Sequence, residues 1–144
     1  MDKLEIVKNA MTDIEKGAIK ASSYTEDMIF SGPVPQPLNR EKYLDLMRAL
    51  VGASPDWNFH ARDFTVEGDT VQISISITGT QTRTLPGLMP GMPDLPATGK
   101  QFSLPGEHLT ITVRGNQISQ MVARVPPGGG VPGMLAQLGV PLSS

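Results

Sequence analysis

The hydrophobic period of this chain changes once, near Trp57. Before that point apolar residues recur every three or four positions. Leu4, Val7, Met11, Ile14 and Ala18 form one stripe, the pattern of an amphipathic helix laid on a core. Asp2, with Glu5 three residues on, is a capping box for its start, and the helix is expected to end near Lys20 to Ser22. Asp27–Ser31 reads as a short strand stopped by Gly32-Pro33. Asn39 caps a second predicted helix with Tyr43, Leu44, Leu46, Met47, Leu50 and Val51 as its apolar positions, and Gly52 is placed to end it.

From Trp57 onward the period is 2. Trp57–Val66 and Thr70–Gln81 are predicted strands joined by the tight turn Glu67-Gly68-Asp69. Lys100–Val113 and Gln117–Val125 form a second pair joined at Arg114-Gly115-Asn116. Val71, Ile73, Ile75 and Ile77 share one face of their strand, and Gln72, Ser74, Ser76 and Thr78 share the other. One face is therefore buried, while the other meets water or a partner. Helices first and a long antiparallel sheet afterwards is an α+β order. Two helices cover only one side of four long strands. A strongly bent sheet wrapped around them would bury the apolar faces and leave a conical pocket for a small apolar molecule.

Composition narrows the partners. A chain of 144 residues is read as a single domain, 1–144. It has no cysteine, so thiol chemistry and disulfides are excluded. Net charge is −2 with Lys and Arg scattered, which argues against nucleic acid, a partner that needs a concentrated basic surface. No apolar run approaches the ~18 residues of a membrane span, so no membrane association is expected. The charged start Met1-Asp2-Lys3-Leu4-Glu5 shows no signal peptide, and a cytoplasmic location is the expectation. His60 and His108, far apart and without cysteine, form no zinc pattern. There is no Gly-x-Ser-x-Gly elbow, and Gly128-Gly129-Gly130 lacks the Lys-Ser/Thr of a phosphate loop. Neither a metal nor a cofactor is expected.

The stretch from Ile77 to Lys100 carries the candidate chemistry. Counting by twos from Val71 keeps Gln81 on the inward face at the strand end. There its amide can donate to a carbonyl or enolate oxygen, or else bond the backbone of the loop that follows. That loop, Leu85–Pro96, is too rich in proline for a helix or central strand. Exposing Leu85, Leu88, Met89, Met92 and Leu95 together would create an adhesive patch. Together with Val131–Leu138 it either closes the mouth of the cone over an apolar ligand, or packs on a partner or caps the core.

Other candidates are few. His60 has the opposite parity to Trp57 and Phe59, so it faces out if the aromatics face the core. Glu107-His108 follows the break at Pro105-Gly106 and forms a dyad only if both side chains swing to one side, since strand neighbours point to opposite faces; otherwise the pair sits on a surface bulge. Arg124, in parity with Val122, sits near the expected mouth. Gln81, His60, His108 and Glu107 are thus the catalytic candidates. The expected ligand contacts are Tyr24, Trp57, Phe59, Ile75, Ile77, Met89, Met92, Val122, Arg124 and Met134. Tyr24 and Tyr43 bring hydroxyls as well as rings.

The run Ser54-Pro55-Asp56-Trp57-Asn58-Phe59, Glu67-Gly68-Asp69-Thr70-Val71, Gly79-Thr80-Gln81-Thr82, Ala97-Thr98-Gly99-Lys100, Gly115-Asn116-Gln117-Ile118 and Met134–Val140 resembles, in order and spacing, the SnoaL-like polyketide cyclase family of the nuclear transport factor 2-like superfamily. The resemblance implies a cone-shaped, cystatin-like α+β barrel with the ligand inside and a homodimer through the outer sheet face. It also implies a histidine where this chain has Gln81, and an aspartate beyond a Glu-x-Trp in the last strand. Here Gln120 and Val122 stand for Glu and Trp, and the aspartate position falls near Pro126. Glutamine and proline cannot remove the proton beside a carbonyl that an aldol closure requires. Three readings follow: a pocket protein binding an apolar, polyketide- or steroid-like ligand without the usual acid/base pair; a cyclase, isomerase or dehydratase with a substitute base in His60, His108 or Glu107; or a dimeric interaction module with a small or filled residual cavity.

Overall fold

The computed structural model describes residues 2–32, 36–87 and 92–139. The first helix, α1 (Lys3–Glu15), starts as its cap dictates: the Asp2 carboxylate accepts the Glu5 amide at 2.8 Å. Its stripe of Ile6, Val7, Ala10, Met11 and Ile14 is buried. The helix stops earlier than the expected Lys20 to Ser22, and Ala18 lies outside it. Gly17 takes a left-handed φ of 73°, and the Gly17 and Ala18 amides close onto Ile14 and Asp13 carbonyls at 3.0 and 2.8 Å, a Schellman-type stop. In α2 (Arg40–Ala53) the Asn39 side chain accepts from the Lys42 amide at 2.9 Å. Tyr43, Leu44, Met47, Leu50 and Val51 face the core, and the helix runs one residue past Gly52.

The strands are shorter than their sequence periods. β1 (Tyr24–Ser31) begins before the expected Asp27, and the two-residue β2 (Leu38–Asn39) pairs with it. β3 (Arg62–Glu67), β4 (Thr70–Ile75), β7 (Glu107–Arg114) and β8 (Gln117–Arg124) complete a six-stranded sheet in the order β2-β1-β8-β7-β4-β3. β1 runs parallel to β8 and all other neighbours are antiparallel. β5 (Thr78–Thr80) and β6 (Gln101–Ser103) form a separate two-stranded sheet.

Three expected long strands are thus broken, each for a local reason. The segment from Trp57 enters the sheet only at Arg62, after a left-handed residue at His60 (φ 48°), and a second at Asp63 (φ 56°) falls at the register shift inside β3. Thr70–Gln81 breaks after Ile75: the Ser76 amide turns to the Phe59 carbonyl at 2.8 Å, and the Ile77 carbonyl takes the Leu104 amide at 2.8 Å. Lys100–Val113 breaks at Leu104–Gly106, where Pro105 has no N–H to pair. The breaks let the strands curl over the helices into a strongly bent, unclosed sheet, the expected α+β cone. A third helix, α3 (Gly130–Gln137), covers its open side. The Gln137 amide clamps it to β6, accepting the Ser103 N–H and donating to the Ser103 carbonyl, both at 2.9 Å. Among the described residues no helix is long and apolar enough to cross a membrane.

Candidate functional site

Strand alternation sorts the side chains of the sheet into two sets. Inward go Val71, Ile73 and Ile75 of β4, Glu107, Leu109 and Ile111 of β7, and Ile118, Met121 and Ala123 of β8. Together with α1, α2 and α3 these enclose a cavity of about 80 Å³. Tyr24, Trp57, Phe59, Ile75, Ile77 and Met134 line it, as expected from their sequence positions. Met11, Met47 and Met121 also line it, so four adaptable thioether side chains share the wall. Val131 and Gly130 bring the N-terminal turn of α3 onto it. Of the two segments considered as covers, the tail closes the cavity and the described part of the Leu85–Pro96 loop does not.

The wall is apolar save for four side chains. Tyr24 and Tyr43 are buried with their rings edge to face at 5.8 Å. Their hydroxyls hydrogen-bond to each other, and burial pushes both pKa values well above the phenol range. Trp57 packs on Phe59 and Phe102, each ring pair 5.9 Å apart, and its indole Nε1 has no hydrogen-bond partner. Glu107 is only 8% exposed. Burial raises its pKa above the ordinary carboxylate value, an effect partly offset by the Gly130 N–H. Its Oε2 has no partner. Glu107 is the one carboxyl on the cavity wall among the described residues.

Gln81 lies elsewhere. It is fully buried and inward by parity, but under its own loop rather than in the cavity. Its Nε2 donates to the carbonyls of Arg83, Leu95 and Pro96 at 3.0, 3.1 and 3.2 Å. Its Oε1 accepts the Thr98 amide at 3.1 Å and the Thr98 hydroxyl at 2.7 Å. The amide is saturated and has nothing left to offer a ligand. Of the readings considered, the strand-end glutamine that bonds its loop describes it. Leu85 and Leu95 bridge in the same loop with amide–carbonyl bonds of 2.8 Å.

The histidines are also outside the cavity. His60 is exposed, and its Nε2 bonds the Thr78 hydroxyl at 2.8 Å. His108 points to the outer sheet face, where its ring bonds Gln72. Glu107 and His108 form no dyad, because β7 is regular there and sends neighbours to opposite faces. Val122 and Arg124 share the outer face with His108, so they do not line the cavity. Met92 packs against the core without reaching the cavity, and Met89 lies outside the described residues. Counting back by twos from Ile111 through Leu109 reaches Glu107. That parity puts it on the cavity side, where the sequence pattern suggests a surface bulge, half of a dyad or a substitute base. No group of three or more His, Cys, Asp or Glu side chains suited to a metal occurs among the described residues.

Known structures share this architecture at low identity. One is a candidate SnoaL-like polyketide cyclase from Jannaschia sp. CCS1 (18% identity, TM-score 0.70, covering 96% of this chain and 92% of that one). Another is AclR, a candidate hydroxylase from Streptomyces galilaeus (14%, 0.72, 96% of each chain). A third is IdmH, a candidate polyketide cyclase from Streptomyces antibioticus (20%, 0.69, 97% and 100%). At these identities the likeness establishes the fold and no more. No curated protein sequence matches the chain. The SnoaL-like domain model matches residues 16–121. That span holds both α2 and the sheet down to Met121, and the chain belongs to the SnoaL-like domain family.

Proposed function

We propose that the cavity takes an apolar small molecule and that Glu107 exchanges a proton with it, at a carbon beside a carbonyl, as in cyclase- or isomerase-type reactions. The observation that carries this reading is the Glu107 carboxyl itself: desolvated, facing an otherwise apolar cavity, with one oxygen unpartnered. A carboxyl whose pKa is raised by burial is a stronger base once ionised, closer in strength to the task than an exposed one. Family resemblance supplies the reaction class, and the neighbours named as candidate cyclases are consistent with it. Gln81, His60 and His108 have no part in it.

The cavity of about 80 Å³ is smaller than the roughly 150 Å³ that holds a benzene. Ligand entry therefore requires α3 to shift and the methionines to repack. The same volume also supports the second reading, an interaction module with a residual cavity. A homodimer through the outer face of β4, β7 and β8 belongs to either reading, and sedimentation of V122R against the parent chain tests it.

The test for Glu107 is proton exchange at the α-carbons of 2-indanone, followed by NMR in D2O. The chain is expected to accelerate exchange, with a rate that rises with pH through a midpoint above the ordinary carboxylate range. E107Q should lower the rate about 100-fold or more, the usual size of a general-base contribution. Equal rates for the two proteins would remove Glu107 from the chemistry.

A further inference from the structure

We infer that Trp57 is the hydrogen-bond donor of the cavity and that the ligand is an apolar ketone. Its oxygen would take the indole N–H while its neighbouring carbon faces Glu107. This inference rests on the proposed role of the cavity. Two buried polar atoms in the described structure lack a partner, the Trp57 Nε1 and the Glu107 Oε2, and both residues line the same cavity. They do not satisfy each other. Buried N–H groups are nearly always paired, so an unpaired one beside an apolar cavity points to a partner that arrives with the ligand.

Position supports the pairing. Ile75 is the register partner of Glu107. The next residue, Ser76, bonds Phe59, and Asn58 exchanges two backbone bonds of 3.0 Å with Thr78. Trp57 is thereby held at the Glu107 end of the cavity. The tyrosine pair sits at the other end: Tyr24 pairs with Ile118, and Ile118 with Val113. Along β7, Val113 is roughly 20 Å from Glu107 at about 3.3 Å per residue. Those hydroxyls also already bond each other.

Chemistry then selects the ligand group. An indole N–H only donates, so it recognises an acceptor and gives nothing to a hydrocarbon. A carboxylate ligand would place its charge beside Glu107 in a cavity with no cationic side chain among its described lining residues. A neutral carbonyl oxygen meets both conditions. Held by Trp57, the oxygen also gains a donor as negative charge develops on it during proton removal.

Trp57 is the chain's single tryptophan, so one indole N–H resonance reports the contact directly. The experiment titrates the full chain and W57F with acetophenone and with its isostere ethylbenzene, by 15N–1H correlation spectroscopy. In the parent chain acetophenone is expected to move the indole N–H resonance downfield and ethylbenzene to leave it nearly in place. W57F should lose about 10-fold in acetophenone affinity, the scale of one buried hydrogen bond, with ethylbenzene affinity kept within about twofold. Equal changes for the two probes, or an unmoved indole resonance with acetophenone bound, would overturn the inference and leave the apolar pocket standing. If neither probe binds the parent chain, the pocket reading falls and the role of Trp57 falls with it. Should W57F not fold, the resonance in the parent chain decides alone.

Discussion

Replacing Gln81 by leucine keeps most of the side-chain volume and removes every hydrogen bond it makes. The amide carries two N–H hydrogens, so the three carbonyls of Arg83, Leu95 and Pro96 share two full bonds. The carbonyl oxygen of the side chain accepts two more from Thr98. Four bonds at a net ~1 kcal/mol each come to ~4 kcal/mol. Arg83 and Pro96 are exposed, so water replaces part of what is lost, and about 2–3 kcal/mol is the expected destabilisation. Urea unfolding should show a lower midpoint at unchanged slope, the sign of a stability change without a change in the exposed surface. The loop between Leu85 and Pro96 should become the first site of proteolysis, because its anchor is gone while the cone remains. Binding of apolar probes should not change, since Gln81 does not line the cavity. A loss below about 1 kcal/mol would mean that the bonds contribute less than buried ones do. Lost probe affinity with stability intact would place the amide in the cavity after all, and the loop-anchor account would be refuted.

Three further outcomes are expected. Glu107 has a folded pKa above the ordinary carboxylate value of 4.5 because burial disfavours its charge; its stabilising contribution is full below that value and lost as pH rises through the folded pKa. E107Q should therefore gain stability relative to the parent chain as pH rises from 4 to 8 in chemical denaturation, and a constant difference would contradict the burial account. Asp27 is held down to about 2 by hydrogen bonds from Arg114, at 2.6 and 3.3 Å, and then from Thr25; its contribution is present above 3.8 and lost as pH falls through 2. R114A should return the Asp27 carboxyl toward 3.8, read by a carbon-detected NMR titration. In α3, Gly133 lies against the Gly128 carbonyl with no room for a methyl group; G133A should lift the helix, at the ~1–3 kcal/mol typical of overpacking, and speed amide exchange in α3 while β4, β7 and β8 stay protected.

Much of the site was legible from local pattern. Caps at Asp2 and Asn39 and the inward parity of Ile75 and Ile77 depend on residues two to four positions apart, and the structure carries them unchanged. Parity also separated His60 from the interior. The end of α1 was legible too, in Gly17, but the apolar Ala18 extended the stripe past it. The strand breaks were less accessible. Ser76 leaves the ladder because the Phe59 carbonyl is there to receive it, a contact between segments that no local period encodes.

Gln81 and Glu107 mark the boundary. Gln81 is inward by the alternation of its strand, and the sequence by itself determined that, along with the α+β order, the helix starts and the family; Glu107, beside the Pro105-Gly106 break, reads from sequence as part of a surface bulge, and its inward direction comes only from the structure. Which inward residue meets the cavity and which meets its own loop was decided only by tertiary structure. The curl at residues 76–77 carries β5 and Gln81 out of the main sheet, under a loop whose carbonyls consume the amide. β7 stays in that sheet beneath α3, and its first residue is left as a buried carboxyl with a free oxygen. Alternation sets the direction of a side chain. What stands in that direction depends on long-range packing.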